Sequence, residues 1–498
     1  MSNAILTGTS PLRPHSATAA AAAINEDWLA VILGLSIFVL ALAGLVHVDL
    51  IGWVVNTAVW SNFSLALGPA SKGYAALGGF GALLATYAAL TVVLSAGAAA
   101  LKTDVRRFAL AFTAVFWIAY ASWIIGNYAN FAAVTPAEQQ KFGISWSLKL
   151  TNEGAYIFAL IAGLFIANFL PRFAEAIKDA VRPELYIKIA IVILGGFFAV
   201  TAAGKLGFAS SLLLRGVAAI VEAYLIYWAV VYFIARKWFG FSREWSAPLA
   251  AGISICGISA ASAIGGAIRA RPIVPALVSS LVLVFAVIEV LILPFVAQTW
   301  LAHEPLVAGA WMGLAVKTDG AAVAAGGITE SLILAKNAAE GIHYQPGWIL
   351  GTAATIKVFI DIFIGVWAFV LGYIWTNFIN VTPDQDKAKA REIWERFPKF
   401  IIGFVVTFIV GLYLALGTPA DIAKQVPAAI GEANTFRVIF FILTFFSIGV
   451  LSNFKALWQE GFGKLAAVYF VSIFGFVIWV GLGISWLFFH GVTPPLAG

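Results

Sequence analysis

Apolar residues run along this chain in blocks of about twenty, the length a helix needs to cross a bilayer. Short polar or basic stretches separate them. The blocks are Trp28–Val46, Tyr74–Ala99, Phe108–Gly126, Gly154–Pro171, Lys188–Ala203, Val217–Ala235 and Ser246–Ala267. They continue with Ala276–Ala297, Leu306–Ile328, Ile349–Tyr373, Phe400–Gly417, Arg437–Ser452 and Lys464–Phe489. The pattern predicts an all-α polytopic membrane protein with about thirteen transmembrane helices.

One block breaks the pattern. Gly309–Ile328 reads GAWMGLAVKTDGAAVAAGGI, with Lys317, Thr318, Asp319 and Gly320 in its middle. A charge at the bilayer centre costs roughly 2.5–3.5 kcal/mol on insertion scales, so it faces protein or a water-filled cavity. Two charges beside a glycine point to a helix that unwinds around a polar site, as in secondary transporters. The structural alternative is an inward-facing ion pair that only locks helices together.

Two further blocks carry candidate chemistry. Ala251–Ile268 (AGISICGISAASAIGGAI) is rich in small residues, among them Ser254, Cys256, Gly257 and Ser259. Small residues let helices pack closely. Alternatively, a discontinuous helix there offers backbone N–H groups and hydroxyls to an anion. In Gly351–Tyr373, Lys357 and Asp361 stand four apart and share one helix face. They read either as a neutral couple or as part of a site, with Lys357 beside Lys317 and Asp361 or Asp319 carrying a proton. Glu289 is a lone carboxylate in an apolar block, able to carry a proton or to hydrogen-bond a neighbouring helix. Glu222 lies nearer the end of its block.

Composition agrees with a membrane protein. Of 498 residues, 62% are hydrophobic and 11% charged, against about 25% charged in soluble domains; the mean hydropathy is +0.95. The net charge of +6 is a matter of topology here, because basic residues collect on cytoplasmic loops; no nucleic-acid partner is expected. Clusters occur at Lys102, Arg106 and Arg107; at Arg172, Lys178 and Arg182; and at Arg236, Lys237 and Arg243. Others are Lys387, Lys389, Arg391, Arg396 and Lys399, then Lys455 and Lys464. Thirteen crossings from a cytoplasmic N-terminus place all of these inside. Arg269 and Arg271 are the exception: they fall outside, or inside if Ser246–Ala267 is re-entrant.

The single cysteine excludes an intramolecular disulfide and a cysteine cluster for metal. The five histidines are scattered at segment ends or in loops. No HExxH or GxxxxGK[ST] motif occurs, so no metal, cofactor or enzymatic activity is expected. Residues 1–27 read as a disordered cytoplasmic tail, 28–171 as a group of about four helices, and 172–498 as a transporter core of about nine. Ile191–Lys205 and Ile442–Lys455 echo each other (an apolar run, a glycine, a lysine), which suits an inverted repeat. The mixed-charge stretch Asp384–Lys399 reads as a short surface helix.

The core resembles the YeiH-type family of sulfate exporters. GISICGISAASAIGG resembles that family's SICGxxA signature, and GAWMGLAVKTDGAAVAAG, AATIKVFID and FFSIGVLSNFKAL resemble its later elements. Order and spacing agree from about Arg182 to the C-terminus. The chain departs from the pattern at Lys317–Thr318, where a His–acid pair is expected, and at Ile360, where an arginine is expected.

The resemblance implies a carrier of the bacterial inner membrane, moving a small anion such as sulfate outward by alternating access. Ser254, Cys256, Gly257 and Ser259 would form one wall of the site, and Lys317, Thr318 and Asp319 the other, with Lys357 nearby. Asp319, Asp361 or Glu289 would couple to a proton or Na⁺. The partners expected are the anion, the coupling ion and the lipid bilayer; a homodimer is compatible. The rival readings are a cation/proton antiporter using Asp319 and Asp361, and a non-transporting membrane protein.

Overall fold

The computed structural model describes residues 24–133, 136–148, 150, 156–379, 391–454 and 463–497. Most of the expected N-terminal tail and the basic residues Lys387, Lys389 and Lys455 lie outside them. Of the mixed-charge stretch, Arg391–Arg396 is a helix, as expected there.

All thirteen apolar blocks are helical where described, but not all of them cross. Among the described residues, ten helices are long and apolar enough to span a membrane. The long helices that matter below are α1 (Glu26–Leu42), α2 (Gly78–Ala100) and α3 (Val105–Gly126). Counted as one span with the helix opening at Pro171, from which it is bent by 116°, α4 (Tyr156–Phe169) brings the number to eleven. The bend has a local cause. Proline lacks an N–H and excludes helical geometry from the residue before it, and Leu170 stands at φ −125°, ψ 55°.

The other long helices and the hairpin arms are α5 (Pro183–Ala203), α6 (Leu206–Trp238), α7 (Arg243–Ser254), α8 (Ile258–Ala267) and α9 (Ile273–Trp300). They continue with α10 (Pro305–Ala315), α11 (Asp319–Ala339), α12 (Trp348–Ile379), α13 (Phe400–Gly417), α14 (Val426–Leu451) and α15 (Gly463–Phe489). A small antiparallel ribbon, Val55–Thr57 with Leu67–Pro69, connects α1 to α2.

The two interrupted blocks fold back on themselves, so that with the bent pair taken as one span the described residues make eleven crossings where thirteen are expected. Arms α7 and α8 make hairpin 1. Its two ends meet beside the start of α9: the Glu244 carboxylate accepts from the Arg271 backbone N–H at 2.7 Å, and a Cβ on Gly265 would touch Pro275. Arms α10 and α11 make hairpin 2. Its ends also meet, with Asn337 Nδ2 donating to the Ala302 carbonyl at 2.7 Å.

Helix α9 runs from the mouth of hairpin 1 to the mouth of hairpin 2, so the hairpins enter the bundle from opposite ends. Their tips meet inside it: a Cβ on Gly257 would lie 2.7 Å from the Lys317 carbonyl oxygen. Each hairpin runs its first arm parallel to the long helix that follows it. Gly309 lies against Ile349, and Gly313 against Ala353 and Ile356, while Gly252 lies against Val278 and Val282. The inverted relation is therefore carried by two hairpin-plus-helix units. The echo between Ile191–Lys205 and Ile442–Lys455 falls on α5 and α14, unbroken helices that pack antiparallel: Tyr186 lies near Phe440, and Phe197 near Arg437.

Helices α5 and α14 back hairpin 2, with Gly320 against Ile187 and Thr444, and connect it to the first group. Gly163 of α4 and Gly449 of α14 lie face to face, and a Cβ on either would strike the other helix's backbone. At one end of α5, Lys188 is held by Asp27 of α1 at 2.7 Å and faces Glu184 at 3.6 Å. The first group thus packs directly on the rest.

Candidate functional site

The site is built by the two hairpin tips and the middle of α12. At each tip the first arm ends with unpaired carbonyls and the second arm begins with unpaired N–H groups. Ile255 (φ −108°, ψ −95°) and Gly257 (φ +64°) make the reversal in hairpin 1. Val316–Thr318 make it in hairpin 2, where Thr318 Oγ1 accepts from the Ala321 N–H at 3.1 Å and caps α11.

Lys357 ties the tips together. Its side chain, 1% exposed, donates to the Ile255 carbonyl at 2.8 Å and the Val316 carbonyl at 3.3 Å. A cation at two helix C-termini is favourable, because it meets the negative ends of both dipoles. Lys357 therefore spends its hydrogen bonds on backbone and not on Asp361, its expected helix-face partner.

Asp361 instead meets Asp319 and Cys256. The thiol of hairpin 1, the Asp319 carboxylate of hairpin 2 and the Asp361 carboxylate of α12 bring their polar atoms within 4.8 Å of one another. The two carboxyl groups are within hydrogen-bonding reach of each other, and Asp361 is within reach of the thiol. All three residues are at most 2% exposed. One oxygen of Asp319 (Oδ1), one of Asp361 (Oδ1) and the Ser254 hydroxyl are buried with no hydrogen-bond partner.

Lys317 belongs to a different neighbourhood. Its backbone N–H donates to Glu289 Oε2 at 3.1 Å. Its ammonium donates to the Leu314 carbonyl and lies 4.5 Å above the Tyr227 ring. Glu289 also accepts from the Tyr469 hydroxyl at 3.4 Å, and Glu222, fully buried, faces Lys317 as well. The wall expected from Lys317, Thr318 and Asp319 is thus divided by the unwound backbone. Asp319 joins Asp361, Cys256 and Lys357, Thr318 caps α11, and Lys317 joins Glu289, Glu222, Tyr227 and Tyr469. Ser259, half-buried, lies in the first turn of α8.

The sequence does not mark Tyr227 or Tyr469. Aromatic residues are common in apolar blocks, and nothing local distinguishes one that covers a lysine or donates to a carboxylate.

Opposed re-entrant hairpins whose tips enclose buried charges, within eleven crossings, define a multi-pass all-α membrane protein with a polar centre. The family described as Conserved hypothetical protein 698 matches residues 112–468. The chain is 40% identical over 475 residues to a UPF0324 membrane protein of Nitrosomonas europaea, a match covering 95% of this chain and 97% of the relative. It is 48% identical over 186 residues to an uncharacterized protein of Archaeoglobus fulgidus, covering 33% of this chain and 97% of that one. A UPF0324 membrane protein of Rhodopirellula baltica is 30% identical over 332 residues, covering 65% of this chain and 55% of the relative. The chain belongs to this UPF0324 family, the YeiH-type family its motifs resemble. No solved structure matches it.

Proposed function

We propose that the protein is a secondary transporter that moves a small, sulfate-like anion across the bacterial inner membrane by alternating access. The observation that carries this reading is the meeting of two opposed hairpin tips around buried ionisable groups. Irregular backbone at membrane depth is tolerated only where it is enclosed by protein or lines a cavity, and broken helices at such a depth mark transporter sites.

An anion is favoured by the start of α8. This helix end has no side-chain cap, so its N–H groups and positive dipole end are free for an anion. The unpartnered Ser254 hydroxyl and the Lys357 ammonium stand at the same junction. The carbonyl ends of the first arms are already taken by Lys357 and Lys317. Asp319 and Asp361 would carry the coupling proton or Na⁺, since two adjacent carboxylates in an apolar interior are stabilised by a shared cation. Glu289, across the break, would serve Lys317.

We read the orientation from the eleven crossings. They place the described basic clusters, from Lys102 to Lys464, on one face, and hairpin 1 brings Arg269 and Arg271 to that same face. By the positive-inside rule we take that face as cytoplasmic, with the N-terminus inside.

A cation/proton antiporter is the second reading, favoured by the two unpartnered carboxylate oxygens beside each other. Sulfate uptake into proteoliposomes, with and without a proton or Na⁺ gradient, separates the two. Saturable, gradient-dependent sulfate flux that loses its gradient dependence in Asp361→Asn is the expected result. Cation-driven proton movement without anion flux would replace the first reading by the second.

A further inference from the structure

We propose that Cys256, Asp319 and Asp361 form a binding site for a thiophilic divalent cation of the zinc class, held between the two hairpin tips. The donor set fits such an ion. One sulfur and two carboxylates are zinc-type ligands, and three protein ligands with an open fourth position is the arrangement of non-structural zinc sites. In a tetrahedral site, ligand atoms stand about 3.5 Å apart, given Zn–S near 2.3 Å and Zn–O near 2.1 Å. The three groups, within 4.8 Å of one another, reach that spacing by closing about 1 Å.

A second observation points to a ligand independently of the cluster's composition. Asp319 Oδ1 and Asp361 Oδ1 are buried without any hydrogen-bond partner. A buried, unpaired acceptor is costly, and a bound cation removes that cost for both oxygens at once.

Charge also balances. A coordinating thiol is deprotonated outright, so the site would hold one thiolate and two carboxylates against a divalent ion and the Lys357 ammonium. The neutral sum suits an apolar interior, where uncompensated charge is not tolerated. Each ligand comes from a different element: hairpin 1, hairpin 2 and α12. A bound ion would therefore pin both tips to α12 in the arrangement seen here. Separation of the ligands along the chain is the reason no metal motif is visible in the sequence.

This inference does not depend on the anion reading, because it is tested by binding to purified full-length protein in detergent micelles and needs no transport. The first probe is Cd²⁺, followed by its sulfur-to-metal ultraviolet absorption. Cys256 is the chain's only cysteine, so such a band reports this site and not the surface pairs His303–Glu340 and His490–Glu304. The second probe is Zn²⁺, followed by calorimetry. We expect one equivalent of Cd²⁺ to give the band in the wild type and the band to vanish in Cys256→Ser. Asp361→Asn should keep a band but weaken Cd²⁺ and Zn²⁺ at least tenfold. A wild-type protein with no band overturns the proposal even if Zn²⁺ binds, since that binding is then at the surface. Affinity unchanged in Asp361→Asn overturns it too. The wild-type result is decisive by itself should either variant fail to fold.

Discussion

Gly257 occupies the tightest point between the hairpins. Its φ of +64° lies in the region L side chains avoid, and a Cβ there would sit 2.6 Å from Val282 Cγ1 and 2.7 Å from the Lys317 carbonyl oxygen. Gly257→Ala is expected to cost about 1–3 kcal/mol from backbone strain, with more from the clash, and to lower the melting temperature in detergent. An unchanged melting temperature would mean the tips do not touch as described. Lys357→Met should orphan the Ile255 and Val316 carbonyls, at about 1–3 kcal/mol each, and thermal unfolding reads this loss directly. A variant as stable as wild type would show that the lysine does not hold the tips. At this scale much of the site was visible in the sequence, because Lys317, Asp319, Lys357, Asp361 and Glu289 stand out as charges in apolar blocks. Their grouping was not visible. Helical periodicity assigns faces only where the helix is continuous, and the backbone at Val316–Thr318 is unwound between Lys317 and Asp319.

Hairpin 2 is held at its mouth by Glu330 of α11. The carboxylate accepts from the N–H groups of Gly347, Ile349 and Leu350 at 2.8, 2.9 and 3.0 Å, capping the start of α12. Glu330→Ala leaves these donors without their acceptor, and we expect a loss of about 1–3 kcal/mol per unsatisfied group. Glu330→Gln keeps an acceptor oxygen and should lose less. Equal stability of all three proteins in thermal unfolding would remove Glu330 from this role. The elements themselves were legible: every predicted block is helical where described, and the breaks fall where glycine and charge interrupt the apolar runs. A block of about twenty apolar residues has the same composition whether it crosses or turns back, and so the re-entrant path was hidden. The one trace was the pair Arg269 and Arg271, which disagreed with the other basic clusters until hairpin 1 returned them to the same face.

For the whole molecule, the path of the chain makes a prediction that the thirteen-crossing reading denies. Cysteines introduced one at a time as Lys237→Cys and Ala270→Cys flank hairpin 1, and Ala339→Cys lies at the mouth of hairpin 2. Cys256 is buried and should not react with a membrane-impermeant thiol reagent in sealed vesicles. Positions 237 and 270 are expected to label from one face and position 339 from the other. Labelling of 237 and 270 from opposite faces would make hairpin 1 a crossing. By itself the sequence determined that the chain lives in a membrane, how many apolar blocks it has, and which charges are carried inside them, because transfer from water to lipid depends on local composition. Only the tertiary structure decided that two blocks turn back, that their tips meet, and that Asp319 joins Cys256 and Asp361 while Lys317 faces Glu289. Those outcomes are set by contacts between segments distant in the chain, and hydropathy contains no information about which segments meet.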